Sequence, residues 1–89
     1  MANTRAGNVI RLDTTGTVPG PAGRIKGILY IGASSATAVL RFDGTSSTII
    51  WERAGDVEVL DSVCIQVVES TENLYIEIAS GAVVYLYTL

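Results

Sequence analysis

Residues able to do chemistry are few in this 89-residue chain, and poorly placed for it. There is no histidine, which removes the commonest general base, the Ser-His-Asp and Cys-His constellations and most zinc sites. The single cysteine, Cys64, lies in the apolar run Val63-Cys64-Ile65-Gln66-Val67-Val68 and reads as a buried structural thiol. Ser34, Ser35, Ser46 and Ser47 fall in turn-like stretches with no base nearby to activate them. Glu52, Asp56, Glu58 and Asp61 crowd one short stretch around Ala54-Gly55. A glycosidase needs two carboxylates held across a cleft, and a calcium loop needs several oxygens at set spacing. These four straddle a strand end and fit neither template, so they read as a solvated acidic rim. The expectation is a protein that is not an enzyme, with no cofactor and no metal site.

Aromatic residues allow one further kind of site. Trp51, Tyr30, Tyr75, Tyr85 and Tyr87 are enough for a sugar-stacking platform. A lone tryptophan in a small sandwich more often packs in the core, and the alternation of Trp51 with Ile49 predicts that here.

The elements that must position these side chains are strands. Arg24–Ile31, Thr37–Phe42, Thr48–Arg53, Ser62–Val68, Asn73–Ile78 and Ala82–Thr88 alternate or run apolar, and are rich in β-branched and tyrosine residues. Asn8-Val9-Ile10-Arg11-Leu12-Asp13 is a shorter candidate, and "AGDVEVLD" is an acidic loop or short edge strand. Polar turns such as "GASSAT" and Asp43-Gly44-Thr45-Ser46-Ser47 separate them, and no amphipathic helix is predicted. The fold class is therefore all-β, a small antiparallel β-sandwich of jelly-roll or Greek-key type with about seven or eight strands. Residues 24–89 form the sandwich domain. Residues 1–23 form an N-terminal arm and a connector, "TTGTVPGPAG", punctuated by glycines and by Pro19 and Pro21, which cannot donate to a ladder.

Composition limits the partners. Six basic against nine acidic residues give a net charge of −3 with no basic stripe, which argues against nucleic acid. No apolar run approaches the ~20 residues of a membrane helix, and the first seven residues lack a signal peptide's apolar core, so a cytoplasmic origin is expected. Yet 48% of residues are hydrophobic and the mean hydropathy is +0.40. Several strands are apolar on both parities, whereas a one-core sandwich needs only one. Ile28, Tyr30, Ile50, Val84 and Leu86 are the interface candidates this surplus suggests, with Arg5 on the arm. An obligate oligomer is expected, because one small core cannot cover both parities.

Four stretches carry a resemblance: Arg24–Ile31 "RIKGILYI", Ala38–Gly44 "AVLRFDG", Ile49–Glu52 "IIWE" and Gly81–Tyr87 "GAVVYLY". Together they resemble small virion structural proteins of tailed bacteriophages, over roughly residues 24–89. The resemblance implies a capsid decoration (cement) subunit that binds and stabilises the head shell and is found in the virion. Its implied partners are itself, as a trimer, and the major capsid protein or another virion protein. A tail-fibre module binding a receptor or carbohydrate is the alternative.

Overall fold

The computed structural model describes residues 3–19, 24–42, 49–66 and 74–88, the side chains of residues 42 and 64–66 excepted. It is an all-β sandwich. Among the described residues nine strands run β1 (Thr4–Ala6), β2 (Val9–Leu12), β3 (Gly16–Thr17), β4 (Arg24–Ile31), β5 (Thr37–Phe42), β6 (Ile49–Ala54), β7 (Glu58–Gln66), β8 (Leu74–Ala79) and β9 (Val83–Thr88). A five-stranded sheet has the order β1-β2-β9-β4-β7 and a four-stranded sheet the order β3-β8-β5-β6, all pairs antiparallel.

The pairing is nested. β5 pairs β6, β4 pairs β7, β3 pairs β8 and β2 pairs β9, as if the chain from β2 to β9 were one long hairpin. That hairpin is then rolled so that β4 also meets β9 and β5 also meets β8. This is a jelly roll, with β1 added at one edge. The Asp43-Gly44 turn expected between β5 and β6 lies outside the described residues, but the hairpin pairing itself is present.

Between the sheets, inward side chains meet in rows. Ile10, Leu86 and Ile28 stand opposite one another across β2, β9 and β4, and Leu12, Val84 and Tyr30 form the next row. From the other sheet come Ala38, Leu40, Trp51, Leu74 and Ile76, all buried. Tyr30 and Trp51 meet across the gap with ring centroids 6.4 Å apart and planes tilted by 58°, a favourable aromatic arrangement. Trp51 is thus a core residue and offers no stacking platform.

Several expectations are corrected. Ile10, Leu12 and Val18 are buried, and β2 is an inner strand of its sheet, so the sandwich begins well before residue 24. Part of the arm is a strand as well: Thr4–Ala6 is an edge strand paired with β2. Asn3 secures its start, with Oδ1 accepting the Asp13 and Thr14 N–H groups at 2.9 and 3.1 Å and Nδ2 donating to the Thr14 carbonyl at 2.9 Å. The connector contributes the two-residue β3, and "AGDVEVLD" ends in β7, the longest strand.

Candidate functional site

Four of the six interface candidates are in the core. Ile28, Tyr30, Val84 and Leu86 are fully buried, because the inward parity of β4 and β9 is the one they share. Ile50 is partly buried and packs against that core. A bulge between Leu40 and Arg41 in the β5–β6 register opposes Arg41 to Ile49, so Ile49 is exposed while Ile50 and Trp51 both serve the interior. Bulges insert one residue and shift the alternation beyond them. β4 shows the same effect: its register shifts between Ile25 and Gly27, so both Ile25 and Ile28 are buried and Lys26 is exposed. Arg5 is exposed on β1, paired in register with Ile10.

The apolar surplus is real but lies on the opposite parity. On the outer face of the five-stranded sheet, Leu60, Leu29 and Tyr85 stand in one row, ending at Arg11 on β2. Gly27 and Tyr87 stand in the next row beside Val9, and Ile31 pairs Val83 in a third. Leu60 is 63% exposed and Ile31 37%. Arg11 folds over Tyr85, its guanidinium 6.0 Å from the ring centre, while Nε donates to the phenol oxygen at 3.3 Å and Nη1 pairs with Asp13. The outer face of the four-stranded sheet is mixed: Arg41 Nε donates to Glu77 Oε1 at 2.6 Å, beside Glu52, Thr37 and Thr17, with Val39, Tyr75 and the exposed Ile49 among them. A sandwich in water can leave either outer face polar. The five-stranded sheet is the more apolar of the two.

Within the apolar face is a shallow cleft of 340 Å³ between β4, β7 and β9, lined by Lys26, Gly27, Leu29, Leu60, Asp61, Ser62 and Tyr87. Gly27 is its floor. A Cβ there would lie 3.7 Å from Tyr87 Cδ2 and 3.8 Å from Leu60 Cδ1, in ordinary contact, so the glycine makes the hollow without being sterically required.

The acidic stretch divides. Glu52, Asp56 and Glu58 are exposed, as a rim would be. Asp61 points inward instead, opposite Ile28 on β4. It meets Arg53, which shares the parity of Trp51 on β6: Nη2 reaches Asp61 Oδ1 at 2.7 Å and Nε reaches Oδ2 at 3.0 Å, while Trp51 Nε1 donates to Oδ2 at 2.9 Å. The Arg53 guanidinium, then the Trp51 N–H, pull the Asp61 carboxyl down to about 2. The two edge strands thus close one side of the sandwich with an inward ion pair, a device that also discourages edge-to-edge pairing. The sequence signal for this clamp is a charge on the inward parity of each edge strand, which the acidic-rim reading does not use.

Another cross-tie closes one end of the sandwich. The Tyr30 hydroxyl lies 2.9 Å from the Gly55 carbonyl and 3.2 Å from that of Ala36, and Gly55 N–H donates to the same Ala36 carbonyl at 2.9 Å. Gly32 N–H donates to the Val57 carbonyl at 3.0 Å. A Cβ on Gly32 would fall 2.0 Å from the Tyr30 oxygen, so glycine is required for this packing.

Among the described residues no group of three or more acidic, cysteine or histidine side chains is arranged to hold a metal, and no helix is long and apolar enough to cross a membrane. The Cys64 side chain lies outside the described residues. No protein-family model, no curated protein and no solved structure matches the chain.

Proposed function

We propose that this protein is a non-catalytic structural subunit of a bacteriophage virion, a capsid decoration protein that works by burying the outer face of its five-stranded sheet in an assembly. The observation that carries the reading is the apolar outer face of the five-stranded sheet, where exposed Leu60 and Ile31 adjoin the partly buried Leu29, Tyr85 and Tyr87, while the mixed opposite face carries the Arg41–Glu77 ion pair. Each large apolar side chain that passes from water into a contact contributes roughly 1.5–3 kcal/mol. A small number of them is therefore enough to bind a subunit to a shell. A jelly roll is compatible with many functions and by itself selects none; the virion address rests on the resemblance of the four strand segments.

The test is co-expression with the major capsid protein of the phage that carries this gene, followed by sedimentation of the shells. Wild-type protein should co-sediment with them. Ile31→Lys should remain in the supernatant while keeping its β-sheet circular dichroism. Wild-type protein that stays soluble beside well-formed shells would remove the decoration role.

A further inference from the structure

The apolar face has a charge layout that names an occupant. β7 presents Glu58, Leu60 and Ser62 outward at successive alternate positions, and Ser62 pairs with Gly27, the neighbour of Lys26. Glu58 and Lys26 are both exposed. Acid and base thus stand on opposite sides of Leu60, each displaced along the strand by about 7 Å or a little more. The edge strand β7 and its neighbour β4 thus carry an apolar side chain flanked by opposite charges, a layout complementary to itself under a two-fold rotation that reverses strand direction.

We propose that the outer face of the five-stranded sheet binds a second copy of this chain in an isologous pair, each Leu60 seating in the other copy's cleft over Gly27. This rests on the proposed function and gives the free protein a second use of that same surface, the pair parting when the face meets the shell. The shapes allow it. Leu60 stands beside the cleft it helps to line, so an axis passing between the two puts each side chain over the other copy's hollow. The same rotation carries Glu58 of one copy toward Lys26 of its partner, twice.

The contact is small. Five strands at ~4.8 Å spacing and about five residues of rise give a flat footprint of roughly 400 Å² per copy. That is about half the ~800 Å² per partner of a standard stable interface. A contact this small suits a reversible pair rather than an obligate dimer, and a subunit delivered singly to a shell.

Sedimentation equilibrium from about 1 to 500 µM reads this directly, the range spanning weak to moderate association. Wild-type protein should move from monomer to dimer within it. Leu60→Lys should weaken association at least ~10-fold without changing circular dichroism, since the added charge is left unpaired in the contact. Glu58→Lys and Lys26→Glu should each weaken it, and the double exchange E58K/K26E should recover to within about 3-fold of wild type, as coupled pairs do. A monomer throughout, a trimer, or a double exchange no tighter than its single variants would overturn the pair. Failure to co-sediment with shells, beside an intact dimer and charge-exchange rescue, would overturn only the decoration role. Shell binding by a protein that stays monomeric would overturn only the pair.

Discussion

Replacing Asp61 with asparagine tests whether the inward ion pair holds the open side of the sandwich. The variant keeps a carbonyl oxygen for the Trp51 N–H and removes the charge facing Arg53. A carboxyl lowered from 3.8 to about 2 corresponds to at most ~2.5 kcal/mol of native-state stabilisation. The Arg53 side chain is 42% exposed and that of Asp61 22%, so solvent screening reduces this to about 1 kcal/mol. Because the native carboxyl titrates below the unfolded one, the contribution is complete above pH ~4 and is lost as the pH falls through about 2. Urea unfolding of wild type and Asp61→Asn at micromolar concentration, at neutral pH and stepwise down to pH ~2, should show a difference near 1 kcal/mol that shrinks to almost nothing. At neutral pH the melting temperatures should differ by about 4–8 °C. A difference constant across the acid range, or none at neutral pH, would refute the clamp.

Gly32→Ala should cost about 3 kcal/mol, the upper range for overpacking, because its Cβ would displace the Tyr30 ring from the Ala36 and Gly55 carbonyls. A thermal melt within 2–3 °C of wild type would show that the ring moves aside freely. Tyr30→Phe should cost roughly 1–3 kcal/mol by leaving polar groups unsatisfied; unchanged unfolding would mean that water replaces the hydroxyl. Asn3→Ala should speed amide exchange in Thr4–Ala6 while global stability falls by only about 1 kcal/mol, as for one modest set of exposed hydrogen bonds. Equal acceleration in β9 would show that the two are one cooperative unit.

The fold was largely legible because alternation is a local signal. In β5 the pattern Ala38, Leu40 in and Val39, Arg41 out matches the observed burial. In β9, Val84 and Leu86 share the inward face, as strict alternation requires. The reading failed where one inserted residue changed the parity. At Lys26 on β4 and near Ile50 on β6, bulges move the following side chains to the other face, and no local composition marks them. The candidate surface inherited a second ambiguity. Alternation divides a strand into two parities but does not say which faces in, so Ile28, Tyr30, Val84 and Leu86 were assigned to an interface when they form the core. The surplus itself was legible, and Leu29, Ile31, Tyr85 and Tyr87 carry it. Asp61 was obscured by its acidic neighbours: only the pairing with Ile28 distinguishes it from Asp56 and Glu58. β2 was undervalued because four residues beside a turn-rich connector give a weak signal, although burial of Ile10 and Leu12 makes it integral.

Hydroxyl-radical footprinting of the free monomer and of the assembled particle tests the central claim most directly. Tyr85, Tyr87 and Leu60 should be oxidised in the dilute free protein and protected in the particle. Tyr75, on the four-stranded sheet, should keep its reactivity, and Trp51 should stay protected in both. Protection that falls on Tyr75 and Ile49, with Leu60 and Tyr87 still reactive, would contradict the account, because the working surface would then be the opposite sheet.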